Sequence, residues 1–236
     1  APALLRARRA VVVGDPRQLR HVSFLADDGV RAAYATHGLA ELADEHDLRR
    51  NSVFDRAAAV APVHDLREHY RSVPHLVSFP LREFYRDAVD VMTRHPANDA
   101  LDVIDLVTPA EPGAEAEIAA ALDLVASWDP ARGSVGIVTP FREHAEAIEK
   151  AVLARFDEAA IRRLGLRVGT VHGFQGAERD RMVLALGLRP GDPPGRLAFL
   201  ENRNLFNVLI TRSRNRNVIV TTAAPEDGLL ARYLRH

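Results

Sequence analysis

Short, uninterrupted apolar runs alternate with amphipathic helical patterns along most of this 236-residue chain. A run of this kind is typical of a parallel strand that is buried on both faces of a sheet. The predicted strands are Arg9–Gly14, Leu101–Val107, Val135–Thr139, Leu166–Val171, Met182–Leu186 and Val218–Thr221. Because strands that alternate with helices form parallel sheets, we predict an α/β fold with helices on both faces of the sheet.

The helical patterns between these runs have recognisable boundaries. The clearest is predicted to begin at Thr139-Pro140, where Thr caps the helix and Pro takes its first position. Apolar residues then recur at three- and four-residue spacing from Phe141 to Phe156. Further helices are predicted near Val53–Val60, over Ala114–Trp128 and over Arg203–Arg212.

Composition excludes several classes of site. The absence of cysteine excludes disulfides and thiolate metal sites, and it agrees with a cytoplasmic setting. The ten histidines show no metal-binding spacing, so we predict no metal site. A net charge of −1 gives no strong overall attraction to nucleic acid, so any polyanion site must be local. No apolar run is long enough to span a bilayer, and no membrane partner is expected.

The segment 170–178, Thr-Val-His-Gly-Phe-Gln-Gly-Ala-Glu, follows a predicted strand and carries candidate ligand-binding residues. Gly176 would let the backbone approach a ligand closely. Glu178 can accept hydrogen bonds from ribose hydroxyls. Thr170 and His172 can contact nucleic-acid phosphates. The alternative is a purely structural turn.

The segment 207–212, Asn-Val-Leu-Ile-Thr-Arg, ends a predicted apolar helix from which Arg212 is expected to project. An arginine placed across a cleft stabilises charge on a transferred phosphoryl group, an effect worth about 10³–10⁵ in rate. The alternative is that Arg212 neutralises the helix C-terminus, which is favourable by about 0.3–1 kcal/mol. We assign that second role to Arg214 and Arg216.

Three shorter motifs are ambiguous when taken singly. Gln18, in a Gly-Asp-Pro-Arg-Gln turn after the first predicted strand, suits a γ-phosphate position or an ordinary polar turn. Arg71 can bind phosphate oxygens and Tyr70 can stack on a base, or the pair is a core ring beside a surface charge. Thr139-Pro140 places a helix N-terminus at a strand end, where backbone N–H groups can bind phosphate.

Taken in order, these motifs resemble motifs III, IV, IVa, V and VI of superfamily 1B helicases, the group that includes the nonsense-mediated-decay helicase. The similarity covers nearly the whole chain. It implies a P-loop-NTPase (RecA-like) fold from which the Walker A loop is absent. Residues 1–68 would be the C-terminal remnant of a first RecA-like domain, and residues 69–236 would form the second. His172 stands where the family usually has Asp, and Asn204 and Leu205 stand where it often has arginines.

The resemblance also implies a role for each candidate residue. The implied site residues are Gln18, Arg71 and Arg212 at the γ-phosphate, Tyr70, Gly176 and Glu178 at the rest of the nucleotide, and Thr139, Pro140, Thr170 and His172 at single-stranded nucleic acid. ATP with Mg²⁺ is the implied cofactor, bound mainly by an N-terminal RecA-like domain of the same parent chain. The implied nucleic-acid partner is a single strand of DNA or RNA.

Two functions follow from these expectations. The first is the C-terminal motor half of a helicase, which we predict to be inactive alone because no Gly-x-x-x-x-Gly-Lys-Ser/Thr loop is present. The second is a degenerate helicase-like domain that binds nucleic acid or protein, which the near-neutral charge favours. An unrelated nucleotide-binding α/β enzyme is a third alternative.

Overall fold

The computed structural model describes residues 6–20, 26–47, 51–94 and 104–236. The chain divides into two compact units, Ala1–Asp65 and Leu66–His236. The sequence placed a domain boundary after residue 68, and the identification of the two units with two RecA-like domains stays a prediction. In the part of the chain that the structure describes, no helix has the length and apolar character needed to cross a membrane.

The described helices of the first unit lie between residues 27 and 58. They are α1 (Asp27–Thr36), α2 (Ala43–His46) and α3 (Val53–Ala58), with a 3₁₀ turn at Ala40–Leu42. A capping box starts α3, since the N–H of Asp55 donates to the Ser52 hydroxyl at 3.1 Å and the Asp55 carboxylate accepts the N–H of Ser52 at 2.9 Å. The prediction of a helix near Val53–Val60 is confirmed.

The predicted strand Arg9–Gly14 is wrong. Residues 9–14 have no strand assignment, and the side chains of Val11 and Val13 are 91% and 83% exposed. A strand exists only through hydrogen bonds to a neighbouring strand, and no described residue pairs with this run. Apolar content alone predicted burial, but it does not supply the pairing partner.

The second unit is built on parallel strands, as predicted. A two-stranded pair comes from β1 (Glu68–His69) and β2 (Asp90–Val91). The main sheet contains β3 (Ile104–Val107), β4 (Val135–Thr139), β5 (Arg167–Thr170), β6 (Arg179–Ala185) and β7 (Ser213–Val220). All its neighbours are parallel, in the order β3-β7-β6-β4-β5. Residues 101–103 of the predicted strand Leu101–Val107 lie outside the described residues.

Helices cover both faces of this sheet. They are α4 (Pro74–Tyr85), α5 (Ala114–Ser127), α6 (Arg142–Arg155), α7 (Glu158–Leu164), α8 (Pro194–Leu200), α9 (Arg203–Ile210) and α10 (Gly228–Leu234). On one face, Val125 of α5 and Ile148 of α6 pack into a core with Ile137 of β4. On the other face, the fully buried Tyr233 of α10 accepts a hydrogen bond from Asn217 of β7 at 2.8 Å. The predicted α/β architecture is confirmed.

Helix α6 begins later than predicted. Its N-cap is Phe141, with no side-chain cap, so Thr139 and Pro140 precede the helix. Thr139 is the last residue of β4, is fully buried, and accepts the N–H of Phe141 on its hydroxyl at 3.4 Å. Thr139 therefore stabilises the turn between β4 and α6, and it does not cap the helix.

Candidate functional site

The amino ends of β6 and β7 carry a carboxylate that is bound by two guanidinium groups. Arg71 pairs with Glu178 through Nε and Oε2, and Arg214 Nε donates to Glu178 Oε1 at 2.9 Å. The hydrogen bond from Arg214 and the charge of Arg71 lower the pKa of Glu178, so this carboxylate stays ionised. The assignment of Arg214 and Arg216 to the helix C-terminus is wrong, because both lie in β7 and Arg216 pairs with Asp105.

Hydrogen bonds fix the segment after Arg71 to the start of β7. The buried Ser72 hydroxyl donates to the carbonyl of Ser213 at 2.7 Å. The N–H of Val73 donates to the carbonyl of Arg214 at 2.8 Å. Because Ser72 directly follows Arg71, these bonds set the position from which the Arg71 guanidinium reaches Glu178.

The residues before Arg71 place an aromatic ring in solvent. The Tyr70 side chain is 66% exposed, and its hydroxyl donates to the Glu68 carboxylate. His69 Nε2 accepts the N–H of Ser72 at 2.8 Å. Burial and the charge of Arg71 lower the pKa of His69, so its imidazole is neutral at physiological pH. The Tyr70 ring is thus accessible for stacking, beside the charged Arg71.

Arg212 is buried, and the expectation that it projects from the helix end is wrong for this structure. It is 2% exposed, its Nε donates to the carbonyl of Val208 at 2.9 Å, and its Nη2 donates to the Thr211 hydroxyl at 2.9 Å. The guanidinium turns back because the last carbonyls of α9 need hydrogen-bond donors. The carbonyl of Arg212 accepts the N–H of Arg179 at 3.0 Å, which places Arg212 beside the residue that follows Glu178.

Gly176 lies in an open part of the loop between β5 and β6. Its φ is +80°, and a Cβ placed on it would meet no atom within 4 Å. The glycine therefore satisfies a left-handed backbone rather than crowding from the protein. A close approach of this backbone to a ligand stays a prediction.

The carboxyl ends of β4 and β5 hold the predicted nucleic-acid contacts. Thr139 and Thr170 pair in register, and the N–H of Gly173 donates to the Thr170 hydroxyl at 3.1 Å. Thr139 and Pro140 are both buried. Their side chains therefore cannot reach a strand in this structure, contrary to the implied role.

Thr170 and His172 remain the accessible members of this group. Thr170 is half-buried and His172 is exposed. Partial desolvation lowers the pKa of His172, so at neutral pH it would offer a hydrogen bond rather than a charge. Their contact with nucleic acid stays a prediction.

Gln18 belongs to the first unit and lies in a turn organised by Asp15. Its Nε2 donates to Asp15 Oδ2 at 3.0 Å, and the N–H of Arg17 donates to Asp15 Oδ1 at 2.9 Å. The polar-turn alternative therefore has direct structural support, and the γ-phosphate contact stays a prediction. Within the described ranges, no three His, Asp or Glu side chains are grouped to hold a metal ion.

A buried carboxylate–imidazole pair at the carboxyl edge of the sheet was not predicted from the sequence. Glu117 Oε1 lies 3.2 Å from His144 Nε2 and accepts the N–H of Gly187 at 2.7 Å. Both side chains are 1% exposed. Each lies four residues before a buried apolar residue of its own helix, Ala121 and Ile148 respectively. That spacing was the available signal.

Comparison with known proteins points to one family. Residues 110–224 match the family model AAA_12, described as an AAA domain. The Danio rerio protein "Putative helicase mov-10-B.2" is 26% identical over 260 residues, covering 92% of this chain and 25% of the relative. The Arabidopsis thaliana protein "Probable helicase MAGATAMA 3" is 25% identical over 252 residues, covering 94% of this chain and 28% of the relative.

A shorter match is to "DNA polymerase alpha-associated DNA helicase A" of Saccharomyces cerevisiae, 29% identical over 94 residues, which is 40% of this chain and 13% of the relative. The chain spans about a quarter of the length of the two longer-matching relatives.

Solved structures give a weaker likeness. The C-terminal domain of a possible DNA helicase from Lactobacillus plantarum is 20% identical with a TM-score of 0.43, covering 64% of this chain and 86% of that chain. The PRRSV helicase is 17% identical with a TM-score of 0.37, covering 70% of this chain and 24% of that chain. The fold assignment rests on the parallel sheet itself.

Proposed function

This chain belongs to the superfamily 1 helicases, and from that premise we propose that it is the C-terminal motor half of an ATP-dependent nucleic-acid helicase or translocase. The observation that carries the proposal is the ion-pair cluster of Arg71, Glu178 and Arg214. Three segments that are distant in the sequence meet there, and each adjoins a motif of the resemblance.

The cluster suits a phosphate because a phosphate oxygen can replace a carboxylate oxygen as the acceptor for a guanidinium. The Arg71 side chain is 39% exposed, and we assign it the contact with the γ-phosphate. Tyr70 would stack on the base from its exposed position, and Glu178 with Gly176 would lie near the ribose and the phosphates. ATP with Mg²⁺ would supply the transferable phosphoryl group, held mainly by an N-terminal RecA-like domain that also contributes Gln18.

We assign the role of arginine finger to Arg212. Its guanidinium would first have to leave the carbonyl of Val208 and the hydroxyl of Thr211. Both of those acceptors are uncharged, whereas a phosphoryl group offers charged oxygens, which bind a guanidinium more strongly. Closure of the two motor domains around the nucleotide would bring the group within reach.

Single-stranded DNA or RNA would lie at the carboxyl edge of the sheet, against Thr170 and His172. Both residues would act through hydrogen bonds, since Thr170 is uncharged and the lowered pKa of His172 keeps it neutral. Phosphate contacts of this kind position a strand without reading its sequence.

The test is Arg71→Ala in the full-length protein. We expect strand-stimulated ATP hydrolysis to fall about 10²-fold or more, as for the loss of one preorganised donor to developing charge. Arg163→Ala, which removes an exposed arginine of α7, is the matched control. Equal hydrolysis rates in the two variants would show that the cluster is not a nucleotide site. The purified 236-residue chain alone should hydrolyse no ATP.

A degenerate binding module is the second candidate. The burial of Arg212 and the overall charge of −1 favour it. It predicts a full-length protein that binds a single strand or a protein partner but shows no strand-stimulated hydrolysis. Measured hydrolysis by the full-length protein would eliminate it.

A further inference from the structure

A cavity of about 450 Å³ opens near the amino ends of β6 and β7, beside the C-terminal end of α5. Its lining includes Trp128, Asp129, Arg132, Arg181 and Arg216. The lining therefore contains three arginines and one aspartate. The volume lies within the range of small-molecule sites.

Arg181 is a buried cation that forms no ion pair with any described residue. It is 6% exposed, and its Nη2 donates to the carbonyls of Asp129 and Gly133 at 2.7 and 3.1 Å. Its guanidinium stacks on the Trp128 ring at 4.9 Å, and its Nε has no hydrogen-bond acceptor. Carbonyls and a ring do not carry a full negative charge, so the burial of this cation is only partly compensated.

The neighbouring side chains add positive charge to the cavity. Arg132 is exposed, and its side chain forms no hydrogen bond or ion pair with the described residues. Arg216 pairs with Asp105 through Nη2, yet its Nε is buried without an acceptor. The Asp129 carboxylate accepts the N–H of Ala131 at 2.9 Å and caps the 3₁₀ turn that follows it.

The electrostatics agree with this picture. Burial lowers the pKa of Arg181, and the charges of Arg132 and Arg216 lower it further against the opposing effects of Asp129 and Asp180. The charge of the Arg181 guanidinium is therefore only partly compensated by its neighbours. An anion in the cavity would stabilise all three guanidinium groups at once.

We propose that this cavity, the arginine pocket of Trp128, Arg132, Arg181 and Arg216, binds a small phosphate monoester. Guanidinium groups bind phosphate oxygens through paired, charge-assisted hydrogen bonds, and a dianion supplies the charge that the lining lacks. The volume leaves room for an organic group beside the phosphate. The ester is either a free small molecule or the terminal phosphate of a nucleic-acid strand.

The arginine pocket shares no residue with the proposed nucleotide site, so this inference does not rest on the proposed function. An Arg71→Ala variant should keep the affinity of the arginine pocket unchanged. The two proposals can therefore fail independently, since one is tested by ATP hydrolysis and the other by binding to the arginine pocket.

The experiment uses the fluorescence of Trp128, the only tryptophan of the chain. Glycerol phosphate is titrated at constant ionic strength, and we expect a saturable change in emission. Arg132→Gln should weaken binding about tenfold or more, because it removes a charged donor to the phosphate. Arg163→Gln removes an exposed arginine elsewhere and should leave the affinity unchanged. Circular dichroism checks that both variants are folded.

The outcomes separate the two sources of the ester. Oligonucleotides with and without a terminal phosphate are compared with glycerol phosphate and with glycerol. Tighter binding of the phosphorylated oligonucleotide, lost in Arg132→Gln, assigns a strand end. A response to glycerol phosphate alone assigns a free ester. A response that never saturates, or equal affinities for the Arg132→Gln and Arg163→Gln variants, overturns the proposal.

Discussion

The two edges of the five-stranded sheet hold their polar groups in different ways. At the amino edge, Glu178 is bound by Arg71 and Arg214, and all three side chains retain some exposure to solvent. At the carboxyl edge, the hydroxyls of Thr139 and Thr170 accept backbone N–H groups and carry no charge. The Glu178 cluster therefore consists of ion pairs between side chains, whereas these two hydroxyls at the carboxyl edge are bound to the backbone itself.

This difference determines at which edge a ligand can replace a side chain as hydrogen-bond partner. An ion pair that is partly exposed contributes little to stability, so one partner can be replaced by a ligand at low cost. A hydroxyl that supports the backbone of a turn cannot be withdrawn without loss of that hydrogen bond. Under the proposed function, the amino edge would bind a phosphate that exchanges, and the carboxyl edge would offer a fixed surface to a strand.

The largest expected effect is at the amino edge. Arg212→Ala in the full-length protein should lower kcat for ATP hydrolysis by about 10³–10⁵, because the charge on the transferred phosphoryl group loses its partner. Strand affinity, measured by fluorescence anisotropy, should change by no more than a few-fold. Arg163→Ala controls for the general loss of an arginine. An unchanged kcat would refute the assignment of the finger and would support the degenerate module.

At the carboxyl edge, the strongest effect should be on folding. Glu117→Ala would leave His144 and the N–H of Gly187 without their buried acceptor. We expect a loss of about 2–4 kcal/mol in the free energy of unfolding, measured with urea. Glu115→Ala, on an exposed position of the same helix, should cost less than about 0.5 kcal/mol. Similar losses in the two variants would show that the buried pair contributes nothing special.

Much of the second unit was predictable from the sequence. Its buried strands are short apolar runs, and its helices have apolar residues at three- and four-residue spacing. The predicted strand Val135–Thr139 matches β4, and the predicted helix Ala114–Trp128 differs from α5 by one residue. The same pattern failed for Arg9–Gly14, where the apolar residues are exposed. An apolar run shows which residues a segment could bury. Whether the segment forms a strand also depends on a neighbouring strand that can pair with it.

The arrangement of charges was less predictable than the fold. Arg212 and Arg214 are two residues apart, and no local pattern shows which one folds back on the helix and which one reaches Glu178. The register between β6 and β7 shifts between Arg179 and Arg181, next to Arg212 and Arg214. Bulges change which way a side chain points, and they arise from strand pairing rather than from local sequence.

A smaller effect is expected for the predicted strand contact. Thr170→Ala should weaken single-strand binding by up to about tenfold, the value of one neutral hydrogen bond. The slope of affinity against salt concentration should stay the same, because no charge is removed. Thr36→Ala, which alters an exposed threonine of the first unit, is the control. A flatter salt dependence in Thr170→Ala would mean that the substitution removes ionic contacts with the strand. That outcome would contradict the assignment of a single neutral hydrogen bond to Thr170.

The smallest expected effect is the pH dependence of the Glu178 ion pairs. The folded-state pKa of Glu178 lies below the ordinary value of 4.5, so its stabilisation is fully present above 4.5 and is lost as the pH falls through the folded value. Because the cluster is partly exposed, we expect this contribution to be below about 1 kcal/mol. Urea unfolding of the wild type and of Glu178→Gln should differ by a constant amount near neutral pH, and that difference should shrink on acidification below 4.5. A difference that persists unchanged in acid would mean that Glu178 supports the amino edge through packing rather than through its charge, and the contrast between the two edges would then disappear.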